Sequence, residues 1–295
     1  MSDTMIGVIG GSGLYQIDGL EGAEWISVEG PWGAPSDQIL TGTLDGVSMA
    51  FLPRHGRGHR IPPTEINFRA NIDALKRVGV TDILSISAVG SFREAMAPGD
   101  FVLVNQFIDR TVNRVKSFFG TGCVAHVSMA HPTCGRLRAA VAAAAGSAGV
   151  SHHVGGTYLA MEGPQFSSLA ESHMYRDHWG CDVIGMTNMP EAKLAREAEI
   201  CYATVAMVTD YDSWHPDHGE VDIQSIIKVM HANVDHAEAL IRHLVPALAG
   251  ERPACGDGCD RALEYAVITA PEARDPELAA KLDAVAGRVL GRDTG

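Results

Sequence analysis

Short apolar runs alternate along this chain with stretches whose apolar residues recur at helical spacing, and that alternation constrains the fold more than any other feature. Runs at 5–9 (Met-Ile-Gly-Val-Ile), 47–53, 82–89 (Asp-Ile-Leu-Ser-Ile-Ser-Ala-Val), 101–108, 154–160, 181–186 and 201–209 read as buried strands. Between them, 66–78, 136–148, 167–178, 190–199 and 222–249 carry helical patterns. Strands interleaved with helices in this way predict an α/β fold around a central mixed or parallel sheet. A Pro/Gly-rich break at 250–258 precedes a tail with one strand-like piece, Tyr265 to Thr269, and one helix, 276–290. This divides the chain into a catalytic domain over 1–250 and a C-terminal extension over 251–295, packed on the core or on a neighbouring subunit.

Charge removes several classes of function. Acidic residues outnumber basic ones by 36 to 23, giving a formal net charge of −13, and no run of five Lys/Arg occurs. Such a surface repels nucleic acid and anionic lipid, so neither is expected as a partner. No stretch reaches the roughly 18 apolar residues that a membrane span requires. The first residues lack a basic and then apolar leader, so the expected location is cytoplasmic. Cys123, Cys134, Cys181 and Cys201 stand singly and are expected as small buried hydrophobes. Cys255 and Cys259 form a C-x3-C pair in a turn-rich segment, where a disulfide or a metal half-site could form. Zinc would need two more ligands, and no second paired cluster supplies them, so no metal is expected.

Chemistry is concentrated at the ends of the apolar runs. Gly10-Gly11-Ser12-Gly13 follows the first strand without completing a dinucleotide fingerprint, and reads either as a plain tight turn or as a cradle for a small anion such as phosphate. Arg54-His55-Gly56-Arg57-Gly58-His59-Arg60 sets five cationic or potentially cationic side chains in seven residues of an acidic protein, which points to an oxyanion ligand over a solvated loop of surface ion pairs. Ser87-Ala88-Val89-Gly90-Ser91 closes a strand at the carboxyl edge where open α/β sheets bind ligands. Phe166, in a loop that opens a helix, is either a core plug or a stacking surface for a flat heterocycle. Asp210 and Asp212 emerge from the apolar strand ending at Val208, where desolvation would raise a carboxyl pKa into the range of a general acid.

Ile9-Gly-Gly-Ser-Gly-Leu14, Arg54-His55-Gly56-Arg57, Ser87-Ala-Val-Gly-Ser91, Gln106-Phe-Ile-Asp-Arg-Thr111, Glu162-Gly-Pro-Gln-Phe-Ser-Ser168, Met186-Thr187 and Thr209-Asp-Tyr-Asp212 occur in this order over roughly residues 5–245. Together they resemble the 5′-methylthioadenosine phosphorylases, in the trimeric branch of the purine nucleoside phosphorylases. The resemblance implies a single α/β domain around a distorted mixed sheet, assembled as a homotrimer. It implies phosphate binding by Ser12, Arg54, His55, Ser87, Ala88 and Thr187, with Phe166 and Met186 flanking base and ribose. Asp210 and Asp212 would be the catalytic pair facing purine N7 and the 6-amino edge. Ile223, Ile226 and Ile227 would carry the methylthio group, although a core face would show the same i, i+3, i+4 spacing. His126 would reach a neighbouring subunit's 5′ end, and Ile268 would close the pocket. The chain departs from the family pattern at Ser12 and Ser87, where threonine is usual, and at Gln165, where arginine is usual.

The implied reaction is phosphorolysis of 5′-methylthioadenosine to adenine and 5-methylthioribose 1-phosphate, with 5′-deoxyadenosine as a further substrate and no cofactor. Phosphorolysis of 6-oxopurine nucleosides or methylthioinosine is the nearest alternative. Its sites usually place asparagine where Asp210 stands. A nicotinamide-dependent dehydrogenase is suggested only by the glycine turn, and a non-catalytic nucleoside-binding protein is the third alternative.

Overall fold

The computed structural model describes residues 4–11, 14, 17–216 and 223–291. Its centre is a run of parallel strands that are apolar on both faces. β1 (Met5–Gly10), β4 (Val47–Pro53), β5 (Asp82–Ser91) and β11 (Cys201–Asp210) lie side by side, almost wholly buried. That is why they read as continuous apolar runs, since parallel strands covered on both sides have no solvent face to alternate with.

Shorter strands complete an 11-stranded mixed sheet. β2 (Glu21–Ile26) and β3 (Ile39–Leu44) extend it antiparallel beyond β4. The other side is built from β6 (Phe101–Leu103), β7 (Gln106–Asp109), β8 (His152–Val154), β9 (Thr157–Ala160) and β10 (Val183–Gly185). The runs 101–108 and 154–160, each expected as one strand, are each broken in two. Asn105 accepts the Gly156 N–H at 3.0 Å at the break, so β6 pairs with β8 while β7 pairs with β9. This divergence is the distortion of the sheet.

Helices cover both faces. α1 (Phe68–Arg77) and α4 (Asn188–Glu197) pack over one core, and α2 (Gly135–Ser147) and α5 (Ile223–Ala247) over the other. The helix expected at 167–178 begins with a capping box, in which Ser168 and Glu171 satisfy each other's backbone amides. It runs as α3 (Leu169–His173) and then widens into a π-type turn over Met174–His178. The tail helix is two pieces, α6 (Pro276–Lys281) and α7 (Asp283–Leu290), and its strand-like piece makes only a bridge between Ala125 and Val267. The extension has no core of its own. Leu263, Ala266, Leu282, Val285 and Ala286 are buried in the same cluster as α1 and α4. Among the described residues no helix is long and apolar enough to cross a membrane.

Candidate active site

β5 is where the sheet changes partners. Its first half, Asp82–Ser85, pairs with β1, and its end, Gly90–Ser91, pairs with β10, so among the described residues the stretch between them has no strand on that edge. A switch of this kind opens a crevice at the carboxyl ends of the strands. Ala88 is the one residue of β5 that is not fully buried. Arg54 follows β4 into this gap, and its Nη1 donates to the Ile86 carbonyl at 2.9 Å in place of the missing strand. β10 runs antiparallel to β5, and continuing its register brings Thr187 opposite Ser87.

Arg54 is only 1% exposed and is held from several sides. Nε and Nη2 donate to the two carboxylate oxygens of Glu191 at 2.8 and 3.1 Å, and Nη2 also reaches Ser85 Oγ at 2.7 Å. Glu191 Oε1 further accepts from Ser85 Oγ at 2.7 Å and from the Tyr202 hydroxyl at 2.9 Å. Of the five guanidinium N–H groups, one on Nη1 has no acceptor among the described residues and is available to a ligand. Neither Glu191 nor Tyr202 was read as part of the site. Both lie within apolar or helical patterns that carry no local chemical signal, and only the fold sets them beside Arg54.

The cationic heptapeptide divides. Arg54 and His55 enter the crevice, whereas Arg57 pairs with Asp37 at 2.8 Å and Arg60 donates to the Ser36 carbonyl at 3.1 Å. His55 stacks on His59, with ring centroids 4.2 Å apart. Burial above all, aided by the charge of Arg54, depresses His55 to about 4, so the ring is neutral at pH 7. Its Nδ1 lies 2.8 Å from the Ile61 carbonyl, which can only accept. The proton therefore sits on Nδ1, and Nε2 offers a lone pair. Among the described residues Thr187 Oγ1 is buried with no hydrogen-bond partner, and Ser87 Oγ is 3.0 Å from Asn188 Oδ1. Ser12 lies outside the described residues.

At the far end of β5 stand the two aspartates. Asp210 Oδ2 accepts from the Thr209 hydroxyl at 2.7 Å, and Oδ1 accepts the Asp212 N–H at 2.8 Å. Burial raises the Asp210 pKa against those two bonds. Asp212 is raised as well, by burial and, to a smaller extent, by the charge of Asp210. Its Oδ1 accepts from Ser167 Oγ at 3.1 Å, while Oδ2 is buried with no partner among the described residues. Gly90 lies beneath both acids. A Cβ there would meet Asp210 Oδ1 at 2.9 Å and Asp212 Cβ at 3.2 Å.

The loop carrying Phe166 is fixed by a pair that the sequence reading missed. Arg114 donates to the carbonyls of Met186, Met189 and Glu162 at 2.6, 2.7 and 2.8 Å, and pairs with Glu162 at 3.2 Å. Against the cost of burial, the amides of Val112 and Asn113, the Thr64 hydroxyl and Arg114 hold the Glu162 carboxyl down at about 2. Phe166 itself is 42% exposed, so it is not a core plug. Ile226 is half-buried and Ile227 is 47% exposed, which removes the core-face reading for Ile227. The side chain of Ile223 lies outside the described residues. His126 and Ile268 come together on one strip, where His126 N–H donates to Ala266 O and Ile268 N–H to Val124 O, both at 2.9 Å, and both side chains are exposed.

Comparison with known proteins identifies the family. The sequence model of the phosphorylase superfamily matches residues 5–246. The chain is 72% identical over 287 residues to S-methyl-5′-thioadenosine phosphorylase of Cereibacter sphaeroides, covering 97% of this chain and 99% of that one. The corresponding protein of Bradyrhizobium diazoefficiens is 61% identical over 290 residues, covering 98% and 99%. Among solved structures, a methylthioadenosine phosphorylase from an antarctic soil metagenomic library superposes with a TM-score of 0.91 at 47% identity, covering 96% and 98% of the two chains. Methylthioadenosine phosphorylase from Schistosoma mansoni in complex with adenine gives a TM-score of 0.83 at 33% identity, covering 90% and 99%. The chain belongs to the phosphorylase superfamily and, within it, to the family of the S-methyl-5′-thioadenosine phosphorylases.

Proposed function

We propose that the protein catalyses phosphorolysis of S-methyl-5′-thioadenosine to adenine and 5-methylthioribose 1-phosphate. The carrying observation is the pair of unlike groups on one strand. Ser87, next to the Ile86 carbonyl that Arg54 binds and opposite Thr187 in register, and Gly90, beneath Asp210 and Asp212, are three residues apart on β5. Three residues of extended chain span roughly 10 Å, which accommodates a nucleoside lying along the strand with phosphate at one end.

Phosphate binds at the Arg54 end, using the spare Nη1–H of Arg54, the orphaned Thr187 hydroxyl, Ser87, the backbone at Ala88, and Ser12. The Nε2 lone pair of neutral His55 accepts from a protonated phosphate oxygen, so the nucleophile keeps an unprotonated oxygen for C1′. Attack from the face opposite the base inverts C1′ as the glycosidic bond breaks. Adenine leaves with electron density on N7, where Asp210, raised towards its protonated form, delivers a proton. Help of this kind is typically worth roughly 100- to 10,000-fold. Asp212 Oδ2 accepts from the 6-amino group. A 6-keto group would face it with a second acceptor, which argues against 6-oxopurine nucleosides.

Phe166 and Met186 flank base and ribose, and Ile223, Ile226 and Ile227 receive the 5′ substituent, so 5′-deoxyadenosine is a further substrate. The reaction needs no metal or organic cofactor, and the protein acts in the cytoplasm. A homotrimer, in which His126 reaches a neighbour's 5′ end, fits the exposed strip of His126 and Ile268. Phosphate-dependent release of adenine from S-methyl-5′-thioadenosine, absent in Asp210→Ala, tests the reading. No release at any phosphate concentration refutes it.

A further inference from the structure

Four of the six cysteines converge near the start of β11, at the opposite end of that strand from Asp210. Cys134 is the N-cap residue of α2, Cys201 opens β11, and Cys255 and Cys259 flank the tail turn Gly256-Asp257-Gly258. Their Sγ atoms all lie within 4.8 Å of one another, and every one of the four residues is 0–1% exposed. None forms a disulfide, and the Cys134 and Cys255 sulfurs are 3.6 Å apart. From the sequence, Cys255 and Cys259 are a half-site without further ligands. The fold supplies two more sulfurs from segments more than 50 residues away in the chain.

The spacing fits one ion. Four sulfurs about 2.3 Å from a tetrahedral zinc lie about 3.8 Å from each other, near the observed 3.6 Å and inside the 4.8 Å limit. Clusters of several irons hold their cysteines further apart, and the absence of oxygen or nitrogen donors from the set selects a soft metal.

The surroundings separate this arrangement from a chance packing of apolar thiols. Arg252 Nη2 donates to Cys201 Sγ at 3.2 Å while its Nε is held by Asp82 at 2.8 Å, and Arg136 pairs with the same aspartate. Guanidinium groups at a sulfur favour its thiolate and orient it for a metal. The turn is equally fixed. Gly258, at φ +68°, donates to Cys255 O at 3.0 Å, and the Cys255 N–H is held by Asp260 at 2.8 Å. Asp257 Oδ2 accepts the Gly135 N–H at 2.5 Å, which docks the turn on the start of α2 beside Cys134.

We propose that Cys134, Cys201, Cys255 and Cys259 bind one zinc(II) ion as a closed structural site that pins the C-terminal extension to the core. Four thiol protons are released to solvent as the ion binds, leaving a doubly negative tetrathiolate that keeps the Arg252 hydrogen bond at Cys201, with no change of oxidation state. All four ligands come from the protein, so no position is left for catalysis. The extension so pinned carries Val267 and Ile268, which meet Ala125 and Val124 beside His126.

The test uses the full chain, expressed with added zinc and purified under reducing conditions without a metal-affinity step. Elemental analysis is expected to find one zinc per chain, released in step with mercurial titration of the thiols. Cobalt(II) exchanged into the site should give the visible bands and thiolate charge transfer of a tetrahedral sulfur site. Cys134→Ser and Cys259→Ser should each lower zinc content at least roughly tenfold, since outer-shell changes alone cost about that much affinity. If those variants fold poorly, the cobalt spectrum of the unmodified chain and a fall in Tm on adding a zinc chelator carry the test. Substoichiometric zinc in the unmodified chain, zinc unaffected by both substitutions, or an intact mass showing disulfides among these four cysteines would each overturn the proposal.

Discussion

The backbone N–H of Asp212 donates to Oδ1 of Asp210 at 2.8 Å, and this bond sets a half-buried and a buried carboxylate on one turn with different things left to do. Both oxygens of Asp210 are engaged by the protein, whereas Asp212 Oδ2 has no partner among the described residues. A purine edge that takes a proton at N7 and donates one from an amino group answers both.

Asp210→Asn should therefore keep the site's shape and lose its acid. We expect kcat for adenine release to fall roughly 100- to 10,000-fold with little change in KM. An unchanged kcat would assign the proton to another group. The measurement is steady-state release of adenine at saturating phosphate.

Gly90→Ala places a methyl group 2.9 Å from Asp210 Oδ1 and 3.2 Å from both Asp212 Cβ and Ile184 Cγ2. Accommodating it should cost about 1–3 kcal/mol of stability. Displacing the acids by a fraction of an ångström to an ångström should cost up to about 100-fold in kcat/KM. Thermal melts and initial rates on the same preparation separate the two effects.

Glu191→Gln removes the carboxylate partner of a guanidinium that is almost wholly buried. Breaking a buried pair on one side costs about 3–5 kcal/mol, because the remaining charge is left uncompensated. The loss should appear in denaturant unfolding, and KM for phosphate should rise more than KM for the nucleoside. An equal rise in both would give Glu191 a purely structural role.

Burial pushes the Glu197 carboxyl up to about 7, against hydrogen bonds from the Phe118 amide and Ser117 hydroxyl. Between the unfolded value of 4.5 and about 7 the native chain binds a proton that the unfolded chain releases. The stability present below that window is therefore lost as pH rises through it. His55, depressed to about 4 from 6.5, works in the opposite sense and costs stability as pH falls through that range. Subtracting variant from unmodified chain isolates one group. Glu197→Gln should be more stable than the unmodified protein near pH 8 and no more stable near pH 5, as read from urea unfolding at both values.

Much of the fold was legible because its central strands are buried on both faces. β1, β4, β5 and β11 match their sequence runs to within two residues at each end. β2 and β3 were missed. Glu21–Ile26 is mostly exposed, with polar residues that mask its pattern, and β3 carries Gly42 and two threonines. The Asp45-Gly46 turn joining β3 to β4, with φ of 48° and 78°, was the available signal for that hairpin.

The sequence by itself determined the alternation of strand and helix, the glycine and basic turns at strand ends, and the two aspartates at the end of β11, because backbone propensity and local polarity act between near neighbours. Only the tertiary structure decided that Arg54 is matched by Glu191, that His55 is neutral with its lone pair on Nε2, that Arg114 holds the Phe166 loop, and that four separated cysteines share one cavity. Charge state, desolvation and ligand sets depend on which distant residues the sheet brings within a few ångströms, and no local pattern in the chain encodes that.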